Sequence, residues 1–206
     1  MSKDKAKKPN VDGSDFYIAI VASRYNNDLV EKLLDAARAT LRKARVAENS
    51  IKVLRVPGAA EIPYVANMLA LTDEYDCIIA LGVIIKGDTN HDEVIAQTTA
   101  RSLQEIGIDT EIPVINGILS TNTREQAAER AGGKINRGVE FAEAALEMAW
   151  HKVQLIAYLD HLAEEQENET ADGEDEELRS GEYGFDDLGD DDEDDDDDED
   201  SPYRGN

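Results

Sequence analysis

The chain has 206 residues with 46 acidic and 21 basic side chains, a formal net charge of −25, which repels phosphate backbones and argues against nucleic acid as a partner. From Asp160 onward lie 24 of the acidic and 2 of the basic side chains, leaving 22 against 19 in residues 1–159: a nearly neutral body of single-domain size, then an acidic tail too poor in apolar surface to fold. A single cysteine excludes an internal disulfide framework, no stretch approaches the ~18 apolar residues of a membrane span, and no apolar segment follows the basic residues 1–9, so a soluble cytoplasmic protein is expected.

Residues 17–23 are a β-rich apolar run that predicts a first strand. Beyond the turn Ser23-Arg24-Tyr25-Asn26-Asn27, Leu29, Leu33, Ala37 and Leu41 recur every four residues and lay an apolar stripe along a helix. Ile51–Val56 predicts a second strand, and Pro57-Gly58-Ala59-Ala60-Glu61-Ile62-Pro63 leads into a helical pattern at about residues 60–71. Cys77–Ile85 predicts the third strand, in which Cys77 reads as a small buried hydrophobe. The turn Lys86-Gly87-Asp88-Thr89-Asn90 then delivers His91 to the start of a helix over about residues 92–106. Residues 113–119 predict a fourth strand and 122–131 a helix, where Asn122 with Glu125 three residues on resembles a capping box. A last helix is predicted from near Asn136 through Trp150 toward Leu162, with Val139, Ala142, Leu146 and Val153 on one side.

Strands alternating with helices make parallel crossover units. The expected fold is therefore α/β, a three-layer sandwich whose four-stranded parallel sheet carries helices on both faces. It spans residues 15–160, between a disordered basic arm at 1–14 and a mostly disordered acidic tail at 161–206. Within the tail, the unbroken acidic run at 190–200 repels itself and stays extended.

In open α/β sheets, ligands gather at the carboxyl ends of strands. The turns found there include no P-loop and no G-x-G-x-x-G fingerprint, which disfavours nucleoside triphosphates and dinucleotides. The three histidines are too far apart in sequence to suggest a metal centre. Taken singly, the polar residues have plain readings: His91 as a capping residue, Arg130 as a solvated helix partner, and Glu61 as a helix N-terminal carboxylate worth ~0.3–1 kcal/mol.

Five ordered blocks change those readings. They are S-R-Y-N from Ser23, V-P-G-A-A-E-I-P from Val56, A-L-G-V-I-I-K-G-D-T-N-H from Ala80, the P-V-I-N-G-I-L-S-T-N-T-R-E-Q-A-A-E-R-A-G run from Pro113, and N-R-G-V-E-F-A-E-A-A from Asn136. Together they resemble the lumazine synthase family over roughly residues 18–149. The resemblance implies a flavodoxin-like sheet and a transferase that condenses 5-amino-6-(D-ribitylamino)uracil with 3,4-dihydroxy-2-butanone 4-phosphate. The product is 6,7-dimethyl-8-ribityllumazine, in the penultimate step of riboflavin biosynthesis, made with no cofactor and no metal.

The resemblance also implies roles. His91 matches the proton-transfer histidine, and an imidazole suits amine–carbonyl chemistry near neutral pH. Tyr25 matches the ring that stacks on the heterocycle, Ala59, Ala60 and Glu61 match the turn at the ribityl chain, and Val83, Ile84 and Ile85 match the backbone at the pyrimidine edge. Arg130 matches the phosphate-binding arginine, whose fork suits a phosphate better than a lysine point charge. Gly87, Asp88 and Thr89 match the phosphate-side turn.

Two departures stand out. Asn116 occupies a position where many members carry an aromatic or large apolar residue that covers the heterocycle from the neighbouring subunit, so less apolar contact and weaker pyrimidine binding are expected. The run from Arg130 to Gly138 is one residue shorter than in typical shell-forming members, although Lys134 and Arg137 still match basic positions. The resemblance implies a homo-oligomer, a pentamer with active sites between adjacent subunits, which some members close into a 60-subunit shell. A second reading keeps the fold as a catalytically weak cage or scaffold whose acidic tail recruits partners.

Overall fold

The computed structural model describes the backbone of residues 11–180 and the side chains of residues 11–166. Residues 1–10 of the expected basic arm and 181–206 of the expected tail lie outside the described residues. Two units are distinguished, residues up to His161 and residues from Leu162 onward.

In the first unit, strands β1 (Ile18–Ser23), β2 (Ile51–Val56), β3 (Cys77–Ile85) and β4 (Val114–Thr121) form one sheet in the order β2-β1-β3-β4. Every neighbouring pair is parallel. The helices are α1 (Asn27–Lys43), α2 (Ile62–Ala70), α3 (His91–Asp109), α4 (Arg124–Gly132) and α5 (Arg137–Ser180), with short 3₁₀ turns at Glu48–Ser50 and Ala59–Glu61. This is the four-stranded α/β sandwich that the alternating pattern predicts.

Side chains alternate across a strand, so a strand covered on both faces must be apolar at every position. All six residues of β1 are buried. Ile18, Ile20 and Ala22, with Ile79, Leu81 and Val83 of β3, pack under Leu29, Leu33, Ala37 and Leu41 of α1 and Ala142, Ala145 and Leu146 of α5. Ala19 and Val21, with Ile78, Ala80 and Ile84, pack on the other face against Ile62 and Ala66 of α2 and Leu103 of α3. Each fully buried leucine or isoleucine contributes ~1.5–3 kcal/mol. Cys77 sits in the first layer with no exposure, and burial pushes its thiol pKa well up.

The capping prediction needs correction. The N-cap of α4 is Thr123, whose extended backbone lets its hydroxyl accept the Gln126 N–H at 3.3 Å, while Gln126 Oε1 accepts the Asn122 N–H at 3.0 Å. The cap is shifted one residue along, because the threonine and not the asparagine is the last residue outside helical geometry, and the glutamine reaches back past it to Asn122. The final helix also runs further than the apolar pattern. Its residues 162–180, in the second unit, are helical, and Leu-Ala-Glu-Glu-Gln at residues 162–166 are good helix formers without an apolar face.

Three exposed carboxylates are held below their ordinary range. Glu48 is lowered chiefly by the hydrogen bond from Arg38, Asp28 by the hydrogen bonds from Arg124, and Glu125 by a backbone hydrogen bond at its own helix start. A carboxylate lowered in the folded chain contributes stability above its ordinary pKa of about 4 and loses it as pH falls through the folded value. Tm is expected to fall on acidification below about pH 4, and about 1 M salt should flatten the decline. Thermal melts across pH and salt check this, and a salt-independent acid limb would count against these pairs.

Candidate functional site

Because β1 is flanked by β2 on one side and β3 on the other, the chain departs in opposite directions from the carboxyl ends of β1 and β3, and a crevice opens there. A cleft of about 490 Å³ fills it. The turn after β1 supplies Tyr25 and Asn26, and the turn after β2 supplies Gly58, Ala59, Ala60 and Glu61. Strand β3 and its turn supply Val83, Ile84, Ile85, Gly87 and Thr89, and α3 supplies His91, Asp92 and Ile95. Ten of the thirteen residues singled out from the sequence thus meet in one cleft.

The turn after β1 is held on several sides. Arg24 N–H donates to Val56 O at 2.8 Å and Tyr25 N–H to Pro57 O at 3.1 Å. From β2, Arg55 Nη2 donates to Ser23 O at 2.9 Å and Asn27 Oδ1 at 2.6 Å, and Arg55 also pairs with Glu31. On this fixed support Tyr25 is 73% exposed, and its ring offers a flat apolar surface at the cleft. Glu61 closes its own turn, since its Oε2 accepts the Gly58 N–H at 2.7 Å. The plain helix-start reading of that carboxylate is therefore correct, whatever ligand its other oxygen meets.

Pairing between β1 and β3 stops at Ala22 and Leu81. Beyond that point no strand pairs with that edge of β3. Ile78 N–H and Lys86 N–H bond to Pro113 O and Thr121 O, both at 2.9 Å, so the even-numbered residues of β3 turn their main chain toward β4. Val83 and Ile85 consequently turn theirs to the edge that β1 has vacated. Ile84 contributes its side chain to the cleft, and its peptide groups face β4.

His91 is the first residue of α3 and is exposed. The N-cap, Asn90, makes no side-chain capping bond, which leaves the amides of the first turn available to an anion. At Gly87 nothing lies within 4 Å of where a Cβ would stand, so a ligand can approach the backbone closely. The carboxyl and imidazole groups lining the cleft are those of Glu61, His91 and Asp92, with no lysine or arginine beside them. Among the described residues no group of His, Cys, Asp and Glu could hold a metal ion.

Three expected residues lie elsewhere. Asp88 is exposed on the turn but does not line the cleft. Arg130 is in the last turn of α4, where its Nη1 donates to Gln126 O at 2.9 Å, and among the described residues it pairs with no carboxylate. Asn116 lies opposite Ala80 in the middle of β4, exposed, with its Oδ1 accepting the Ile118 N–H at 3.1 Å. The sequence reading assigned no role to Asn26, Asp92 and Ile95. For Asn26 a signal existed, since an asparagine before a helix is one of the few residues that tolerates a left-handed backbone, and here φ is 54°.

Residues 15–152 match the family model described as 6,7-dimethyl-8-ribityllumazine synthase. A relative named 6,7-dimethyl-8-ribityllumazine synthase, from Nitrosospira multiformis (strain ATCC 25196 / NCIMB 11849 / C 71), is 42% identical over 142 residues, which span 69% of this chain and 87% of the relative.

Proposed function

Since the chain belongs to the 6,7-dimethyl-8-ribityllumazine synthase family, we propose that the crevice cleft is its reaction chamber and that Arg130 of a neighbouring copy completes it. The enzyme is a transferase of riboflavin biosynthesis, condensing 5-amino-6-(D-ribitylamino)uracil with 3,4-dihydroxy-2-butanone 4-phosphate to the lumazine. The catalytically weak cage is not favoured.

Charge is the observation that carries the proposal. One substrate bears a phosphate, yet the cleft lining holds two carboxyl groups and an imidazole but no lysine or arginine. Free amides at the start of α3 supply donors for the phosphate but no full charge. Arg130 has a guanidinium without a carboxylate partner among the described residues, and it lies outside its own subunit's cleft. A ring of copies that brings Arg130 of one to the α3 turn of the next resolves the mismatch, and a pentamer with shared sites is the arrangement the family resemblance implies. Asn116 reaches the heterocycle from the same neighbour.

Within the chamber the pyrimidine stacks on Tyr25 and bonds to the main chain of Val83 and Ile85, and the ribityl chain lies along Ala59, Ala60 and Glu61. The pyrimidine amine attacks the carbonyl of the second substrate, and loss of water gives a Schiff base. Phosphate leaves against Thr89, the α3 amides and Arg130. Closure of the second ring expels another water, and His91 carries protons between these steps. The chemistry suits a cytoplasmic enzyme with small-molecule substrates. Among the described residues no helix is long and apolar enough to cross a membrane.

Mixing the two substrates with purified protein and following lumazine fluorescence tests the activity, and a rate no higher than the spontaneous one would overturn it. For His91→Ala, kcat is expected to fall on the order of 10²-fold, the lower end for general acid–base catalysis, because orientation of two reactive partners supplies much of the rest. Both KM values should move little. Steady-state kinetics check this, and a change confined to KM would remove His91 from proton transfer.

A further inference from the structure

Asn26 combines three features that have no common purpose unless the cleft needs its amide. Its backbone is left-handed, φ 54° and ψ 42°, at the N-cap of α1, yet its side chain makes no capping bond to the helix it precedes. Its Nδ2 instead reaches across 57 residues of sequence to donate to Val83 O at 2.9 Å. Its Oδ1 meets Arg124 Nη1 at 3.5 Å, and the same guanidinium is anchored by Nη2 on both carboxylate oxygens of Asp28 at 2.7 Å.

Val83 is the first residue of β3 beyond the last β1 pair whose main chain faces the vacated edge. Left alone, its carbonyl would be an unpaired acceptor in a half-enclosed cleft, free to tilt or to take up water. Asn26, in the turn that follows β1, supplies the missing donor through its side chain. An amide has two chemically different ends, and Arg124 at the oxygen end fixes which one faces Val83.

We propose that Asn26 is a positioning residue for the pyrimidine, holding the Val83 peptide so that the vacated edge of β3 keeps a fixed pattern of donors and acceptors, with Arg124 setting the orientation of the amide. The proposal rests on the cleft being the pyrimidine site. It predicts an effect on one substrate only, because among the described residues the side-chain hydrogen bonds of Asn26 and Arg124 run to Val83 and Asp28 and not to the phosphate-side turn.

Two substitutions separate the amide from the backbone. Asn26→Asp keeps shape and left-handed tolerance but sets an acceptor against the Val83 carbonyl, and Asn26→Gly keeps the backbone and removes the side chain. In the full-length protein, binding of 5-amino-6-(D-ribitylamino)uracil should weaken about tenfold in both, the size expected for one lost hydrogen bond that leaves a polar group unpaired. Affinity for inorganic phosphate should not change. Hydrogen exchange at residues 83–85 should quicken in both variants while the amides of α1 and α4 keep their rates. Pyrimidine affinity within twofold of wild type in Asn26→Asp overturns the proposal, as does an equal loss for pyrimidine and phosphate. Because binding and exchange need no turnover, a wild-type chain that binds the pyrimidine but makes no lumazine would refute the catalytic reading and still judge the pin.

Discussion

Alanine in place of Arg130 is expected to lower kcat/KM by on the order of 10³-fold, more than any other single change in the site. Removing one partner of a desolvated, hydrogen-bonded charge pair costs ~2–5 kcal/mol, and each ~1.4 kcal/mol is a factor of ten. The loss should fall chiefly on KM for 3,4-dihydroxy-2-butanone 4-phosphate, with the pyrimidine KM little changed. Arg130→Lys should recover part of the loss, since a point charge replaces attraction but not the two-pronged geometry. Folding should be unaffected, because among the described residues the guanidinium bonds only to Gln126 O of its own helix. Mixing Arg130→Ala and His91→Ala chains during assembly tests the shared pocket directly. If arginine and histidine of one site come from different copies, mixed oligomers contain pockets with both intact, and activity returns. No recovery in proven mixed oligomers would place both residues on one copy.

Valine in place of Gly138 is expected to cost the most stability. Gly138 lies in the first turn of α5, where an added Cβ would collide with the carbonyl oxygen of Leu33 and stand 2.9 Å from Ala36 Cβ and 3.0 Å from Leu33 Cα. Two of those three atoms are backbone and cannot rotate away, so α1 and α5 must separate. Helix propensity favours alanine over glycine by ~0.5–1 kcal/mol, but overpacking against a rigid neighbour costs ~1–3 kcal/mol or more, and steric collision wins. Gly138→Ala should lose about 2 kcal/mol, or roughly 4–8 °C in Tm for a body of this size. Gly138→Val adds two branches in the same space and should leave most of the protein insoluble. A Tm within about 2 °C of wild type for either would mean that the helices part at little cost.

The sheet was legible because its physics is local. Runs such as Ile-Ala-Ile-Val-Ala-Ser and Cys-Ile-Ile-Ala-Leu-Gly-Val-Ile-Ile have no polar face, and only a strand buried on both sides tolerates that at such length. Strands β2 and β3 match their predicted bounds, β1 starts one residue later than predicted, and β4 starts one and ends two residues later. The capping of α4 was misplaced by one residue, since Asn122 and Thr123 are both good caps and only backbone geometry decides between them. At the cleft, Tyr25, Glu61 and His91 were marked by the blocks that resemble the family, and all three stand in or just beyond turns that follow strands. The part played by Asn26 could not, because its partner Val83 is 57 residues away and the need for a donor arises only where β1 ends before β3 does. Arg130 marks a different limit, since the task proposed for it lies across a surface between copies that no pattern within a single copy of the chain describes.

Cys77 is the chain's only cysteine, it is wholly buried, and its thiol resists ionisation. The thiolate is the reactive form toward alkylating reagents, so the native fold is silent to maleimide chemistry without any engineering. A cysteine introduced at an exposed turn would carry the only label, and probe-to-probe distances measured between copies could then report how many subunits surround one axis.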